Sequence, residues 1–214
     1  MIHYEKLGIF LGKPVAYLLM TIYLMQSGLL AYLVMDKYNL EKQISFQQKR
    51  ITELEEKLQI LKAIGDFQIG FNDEEVRNLT EVVYSESRKY EYDPMFILAI
   101  ILTESTFKHN QVSSYGARGL MQVAPITGKD VATRAGVDWY GLTTLNEPEA
   151  NIKLGTAYLF EKILEFKDIK KALLAYNLGE TRLKTMLRNK EPLPSAYLNK
   201  VIDNYRMLKE TYKA

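Results

Sequence analysis

Glu104 is the residue whose setting in this chain asks for a chemical explanation. It closes the apolar run "MFILAIILTE", and the next acidic residue is Asp130. On a helix it lies four residues after Ile100, three after Ile101 and three before Phe107, so its helical neighbours are hydrophobic. A carboxyl group in such surroundings resists ionisation, because desolvation penalises the charged form. A raised pKa is what a general acid needs near neutral pH. The competing account is a helix-end glutamate that points to water, and the helix by itself leaves both open. The residues that follow are compatible with chemistry, although by itself a loop of this composition is more often just a loop. "SSYGARGLMQVAPIT" carries Gly116 and Gly119, which permit tight turns, and Ser113 and Gln122, which bring uncharged hydrogen-bonding groups. Met121 adds an adaptable apolar surface. Such a lining, polar but uncharged and partly apolar, suits a sugar.

The elements that must position these groups read as helices. Asp93-Pro94 is an N-cap followed by proline at the first helical position, and the helix it opens is apolar on every face, as a central buried helix is. Upstream, "NDEEVRNLTEVVYSESRKY" places Val76, Leu79, Val82 and Val83 on one face, with acidic residues in its first turn. Later helices are expected over residues 148–166, 170–176, 182–187 and 197–211. No segment alternates as a strand does beside a hairpin turn. The head, residues 71–214, is therefore expected to be all-α.

Ahead of it stand two segments of another kind. Residues 14–35, "PVAYLLMTIYLMQSGLLAYLVM", carry no charge and are long enough to cross a bilayer as a helix, with Tyr17 and Tyr32 near the ends. A buried soluble helix and a cleaved signal peptide are the rival readings. The apolar core is long for a signal peptide and no small-x-small site precedes Asp36, which favours an uncleaved signal anchor. Residues 1–13 would then form a short cytoplasmic segment. Lys6 and Lys13 precede the span, while Lys37, Lys42, Lys49 and Arg50 follow it, so the charge balance does not itself place the C-terminal head outside. In residues 36–70, Leu40, Ile44, Ile51, Leu54, Leu58 and Leu61 recur at alternating steps of three and four, with Gln47 in the seam. This is either a coiled-coil stalk that pairs two copies of the chain or an amphipathic helix lying on the head. Gly65 and Gly70 mark a break before the head.

Composition excludes several classes. With 28 Lys and Arg against 26 Asp and Glu, the net charge of +2 gives no case for nucleic acid. The chain has no cysteine, and His3 and His109 are too far apart in sequence for a His-rich metal cluster. No metal or cofactor is expected.

The segment from Glu104 onward resembles the first signature of the SLT-type lytic transglycosylases, glycoside hydrolase family 23, which have a goose-lysozyme-like fold. Glu104-Ser105, Ser113, "GARGLMQ", Pro125 and Thr127 occupy matching positions. "NIKLGTAYL" from Asn151, "ALLAYNLG" from Ala172 and "AYLNKVIDNY" from Ala196 resemble the family's later motifs, in the same order. The departures are Gln111 where Ala is common, Leu178 where Ala is usual, and Leu198 where Val is frequent. Leu178 would narrow the cleft if it faced the sugar, and core packing is the favoured place. The resemblance implies a lysozyme-like helical domain acting on peptidoglycan glycan strands outside the cytoplasmic membrane, which would fix the orientation of the anchor.

It also implies the roles. Glu104 would be the single acid and base that cleaves the MurNAc–GlcNAc bond without water and leaves a 1,6-anhydromuramoyl end. Ser113 and Gln122 would hydrogen-bond around the reacting sugar, Met121 would pack against it, Tyr176 would orient Glu104 or the acetamido group, and Asn177 would bind substrate polar groups. Ser105 adjoins the acid, although a hydroxyl bonded back into its helix is an equal account. Tyr197 is a weaker cleft candidate, since the chain has fifteen tyrosines. Two rival functions stand beside this one. A goose-type muramidase would hydrolyse with water and need a second carboxylate, Glu86 or Asp130, facing Glu104. A non-catalytic wall-binding scaffold would serve an envelope-spanning complex.

Overall fold

The computed structural model of the chain describes residues 12–213, so the first eleven residues, and with them most of the expected cytoplasmic segment and His3, lie outside the described residues. Every regular element among the described residues is helical. In chain order these are α1 (Lys13–Phe67), α2 (Asp73–Lys89), α3 (Pro94–Glu104), α4 (Pro125–Ala135), α5 (Leu142–Asn146), α6 (Pro148–Phe166), α7 (Ile169–Leu178), α8 (Glu180–Arg188) and α9 (Ala196–Thr211). Two isolated bridges, Val112 with Arg118 and Arg118 with Val123, fold the long loop between α3 and α4 back on itself.

The chain divides into one unit ending at Thr52 and a second beginning at Glu53. In the first, α1 exposes its apolar side chains on all sides: Leu18, Tyr23, Met25, Leu30 and Val34 are each more than half accessible. A helix long and apolar enough to cross a membrane is therefore present, with none of that stretch buried in protein. In the second unit the last turns of α1 join the core through Ile60, Ala63 and Ile64. Here the structure corrects the sequence reading. The helix runs through Gly65 and ends at Phe67. A helical glycine costs about 1 kcal/mol, and burial of two isoleucines on the adjacent turns is worth more. The break falls instead at residues 68–72, where Gly70 takes a φ of 88° and Asn72 forms a capping box with Glu75. Ion pairs from Lys57 to Glu81 (2.8 Å) and from Arg88 to Glu56 fasten α1 to α2.

α3 is the axis of this unit. Asp93 caps it by accepting the Met95 N–H at 2.9 Å, Pro94 supplies the first residue, and every side chain from Ile97 to Thr103 is buried. α9 runs along it and ties down both ends. Tyr205 Oη and Lys209 Nζ donate to Asp93 at 2.8 and 2.9 Å, while Lys200 Nζ donates to the Thr103 carbonyl at 3.1 Å and Asn204 to the Thr103 hydroxyl at 2.9 Å. Burial works against ionisation of Asp93, yet the bonds from Lys209, Tyr205 and the Met95 N–H hold its carboxyl below the usual range.

α4 and α5 are absent from the sequence reading. α4, "PITGKDVATRA", has an internal glycine and two threonines and shows little helical signature. The tertiary structure explains the glycine: a Cβ at Gly128 would sit 2.8 Å from the Trp139 ring. The loop before α4 is held by Asn151, at the start of α6. Its amide donates to the carbonyls of Arg118 (2.8 Å) and Leu145 (2.9 Å), and its oxygen accepts the Met121 N–H (2.8 Å). Asn151 is wholly buried. Asn151→Ala would leave three interior backbone groups unpaired, and we expect it to lower unfolding stability by about 3 kcal/mol. Chemical denaturation of the detergent-solubilised chain, followed by helical circular dichroism, reads this directly.

Candidate active site

Glu104 is the last residue of α3 and opens onto a cleft of about 570 Å³. Tyr158, Tyr176 and Gln122 line it, together with Asn177, Leu178, Gly179 and Arg182 from the end of α7, the turn after it and α8. Ser113, Tyr115, Ala117, Val123, Ala124 and Thr127 complete the lining on the loop side. Glu104 is the only carboxylate among the lining residues.

Its environment controls its proton. Burial pushes the Glu104 carboxyl up to about 7, opposed by a hydrogen bond from Tyr197 and by the positive charge of Lys200. The Tyr197 hydroxyl donates to Glu104 Oε1 at 2.6 Å. Tyr197, weakest of the sequence candidates, is thus the side chain in direct contact with the acid. Tyr176, expected to orient Glu104 or the acetamido group, spends its hydroxyl on the loop. Its hydroxyl donates to the Met121 carbonyl at 2.7 Å, and burial, reinforced by the nearby Glu104 charge, holds it well above the usual tyrosine range. It stays a neutral donor, presenting its ring to the cleft.

The chain must turn sharply beyond Glu104 for the site to exist. Thr106 and Phe107 both adopt left-handed backbone conformations, with φ of 51° and 60°, which drives the Phe107 ring into the core. Strain of this kind costs on the order of 1–3 kcal/mol per residue and persists only where packing overrules it. The Ser105 hydroxyl bonds back to the Ile101 carbonyl at 3.1 Å and is buried, so it terminates the helix and does not face the cleft.

Other sequence candidates are placed as follows. Ser113 and Gln122 line the cleft, but each is engaged in shaping the loop: Ser113 Oγ accepts the Ala117 N–H at 3.0 Å, and the Gln122 amide donates to the carbonyls of Gln111 and Gly119 at 3.0 and 2.9 Å. Met121 is corrected. Its side chain is fully buried against Gly155, where any Cβ would lie 2.6 Å from its sulfur, so it does not offer a surface to a sugar. Asn177 is exposed at the cleft. Leu178 both lines the cleft and packs on the small cluster of Leu174, Ala175 and Leu183, so both places weighed for it hold. Tyr158, Tyr115 and Arg182 were missed, because their positions in a helix or loop give no sign of which way they face. Neither proposed second carboxylate enters the cleft. Glu86 is buried on α2, accepting from the Thr156 hydroxyl at 3.3 Å, and Asp130 pairs with Arg134 at 2.9 Å on the surface. His109 packs edge-on against Phe71. Among the described residues no group of acidic and imidazole side chains is placed to hold a metal ion.

The family model described as "Transglycosylase SLT domain" matches residues 81–201, more than half of the chain. The chain belongs to this family. The match begins within α2 and ends in α9, so it takes in Glu104, the whole cleft lining and Tyr197. A relative described as "Transglycosylase" from Enterobacteria phage PRD1 is 31% identical over 128 residues, covering 60% of this chain and 43% of that protein. The chain thus spans less than half the length of that relative. Among solved structures it is similar to the lytic transglycosylase Slt from Pseudomonas aeruginosa, with 27% identity and a TM-score of 0.47. It is also similar to the 70-kDa soluble lytic transglycosylase from Escherichia coli, with 25% identity and a TM-score of 0.48. Each similarity covers 60% of this chain and 22% of the other.

The raised carboxyl makes the SLT domain's stability depend on pH in a definite sense. Between the usual 4.5 and about 7, folded Glu104 keeps a proton that the unfolded chain releases, so stability falls as pH rises across that window. Above it the ionised carboxylate is buried and the cost, on the order of 3 kcal/mol, is fully present. Glu104→Gln keeps an oxygen for Tyr197 and cannot ionise. The variant should match the wild type near pH ~4 and exceed it by an amount of that order near pH ~8, measured as the difference in denaturation midpoints. A pH-independent difference would show that burial does not control this group.

Proposed function

We propose that the chain is a membrane-anchored peptidoglycan lytic transglycosylase in which Glu104 is the single general acid and base. The observation that carries this reading is a half-buried carboxyl, pushed up to about 7, that is the only carboxylate lining its cleft. Protonated Glu104 donates to the glycosidic oxygen between N-acetylmuramic acid and N-acetylglucosamine, and the C1–O bond breaks. The muramic 2-acetamido oxygen stabilises the positive charge left at C1. Ionised Glu104 then takes the proton from the muramic 6-hydroxyl, whose oxygen closes on C1 as a 1,6-anhydro ring. The acid ends the cycle protonated and no water is consumed, so no second carboxylate is required to activate one, in contrast to the paired carboxylates of ordinary glycosidases.

The Tyr197 hydroxyl suits both halves of this cycle. At 2.6 Å it holds the carboxyl in one orientation and stabilises the anion formed after proton donation. Tyr176, Asn177 and the rings of Tyr115 and Tyr158 offer the mixture of apolar faces and neutral polar groups that sugar rings bind. Ser113 and Gln122 serve through the loop they shape, with Ser105 and Met121 behind it.

Residues 14–35 act as the anchor and place the SLT domain outside the cytoplasmic membrane, where the substrate is. The exposed seam of Leu40, Ile44, Ile51, Leu54 and Leu58 is the face on which a second copy would pair as a stalk.

Product analysis on purified sacculi tests the reaction. The wild type should release 1,6-anhydromuropeptides, and Glu104→Gln should lower the rate by at least about a thousandfold. Products with reducing ends would establish hydrolysis instead, and undiminished release by the variant would remove Glu104 from the mechanism. The pH profile supplies an independent check. Activity should fall as pH rises through about 7, because the acid must begin protonated. Tyr197→Phe removes the bond that holds the carboxyl down, so its alkaline limb should move to higher pH. A limb that stays in place would mean that this bond does not act on the titrating group.

A further inference from the structure

The cleft contains one feature that a neutral disaccharide does not call for. Arg182, on the first turns of α8, is the only cationic residue in the lining. Among the described residues no carboxylate engages it. The acids near it in the chain are already taken: Glu180 pairs with Lys162 at 2.5 Å and with Lys184, and Glu165 pairs with the same two lysines at 2.6 and 2.5 Å. Glu191 accepts from the Asn189 amide at 2.8 Å. This lysine–glutamate cluster neutralises itself and leaves Arg182 exposed in a lining that also includes Asn177, Leu178 and Gly179.

On the substrate proposed above, both sugar rings are neutral. The negative charge of a peptidoglycan strand is carried on the 3-O-lactyl arm of the muramic residue, as a carboxylate of the peptide stem or, where the stem has been removed, as the lactyl carboxylate itself. A planar guanidinium with no internal partner matches a carboxylate in both charge and hydrogen-bond geometry. We infer that Arg182 is a specificity-determining residue that binds a carboxylate on the muramic 3-O-substituent and selects strands that carry it. The inference rests on the reading of this cleft as a peptidoglycan site and adds what that site selects. Arg118, the basic residue of the signature loop, does not line the cleft.

Three strand preparations test it with the full chain in detergent micelles. One bears peptide stems, one is stripped to the free lactyl carboxylate, and one is stripped and then capped as the neutral lactyl amide. The readout is the ratio of kcat/KM on each charged strand to that on the capped strand. Arg182→Gln should lower that ratio about tenfold for the strand whose carboxylate is bound, and Arg182→Lys should restore part of it. A fall confined to stem-bearing strands assigns the carboxylate to the stem, and a fall confined to stripped strands assigns it to the lactyl group. A ratio unchanged in Arg182→Gln for both charged strands overturns the inference, whatever happens to the absolute rates. If the wild type cuts none of the strands, the proposed activity fails separately. Equilibrium binding of the same strands to Glu104→Gln, with and without Arg182→Gln, then decides: charge-selective loss supports the role and equal affinities overturn it.

Discussion

The burial of one carboxyl group at the end of an apolar helix is the constraint to which the rest of the SLT domain answers. Leaving Glu104 in water would give an ordinary acid, ionised at neutral pH. Enclosing it without a partner would leave a carboxylate that the interior cannot tolerate once the proton is given up. The structure takes an intermediate course. The apolar α3 and its neighbours remove solvent and push the pKa to about 7, while Tyr197 and the Lys200 charge prevent it from rising further. A group balanced in this way can both release a proton and take one back.

Holding that balance requires α9, which arrives about a hundred residues later in the chain. Its contacts with Asp93, Thr103 and Glu104 fix α3 at both ends, so Tyr197 meets the acid as part of a packed helix pair. The floor of the cleft is secured in the same manner. Asn151 holds the loop at Met121, Tyr176 bonds to the next carbonyl of that residue, and Gly155 is open enough to let the Met121 side chain and the Tyr176 hydroxyl approach. Much of what looks like substrate recognition in the "GARGLMQ" segment is therefore construction. Gln122 and Ser113 spend their hydrogen bonds on the loop, and α6, α7 and α8 add Tyr158, Tyr176, Asn177 and Arg182 to the lining that the loop begins.

α1 has two characters along one continuous helix. Its last turns supply Ile60, Ala63 and Ile64 to the core of the second unit, while its apolar N-terminal stretch has no protein around it. The exposed apolar stretch is the observation on which the proposed anchor rests.

Sequence alone determined the helical class and the central placement of α3, and it singled out Glu104 as the candidate acid, because each depends on local pattern. A cap with proline, an unbroken apolar run and a lone Glu at its end are visible without coordinates. The ordered motifs determined the family for the same reason. What faces the cleft was decided only by tertiary structure. Met121 and Gln122 are adjacent, yet one is buried and the other lines the site, since a left-handed φ of 49° at Gln122 sends the chain elsewhere. Tyr197 could not be singled out from fifteen tyrosines until α9 was laid along α3, and Arg182 gained meaning only when Glu180 and Glu165 were found paired with lysines. Helix periodicity says which side chains share a face, but only the packing of distant helices says what that face meets.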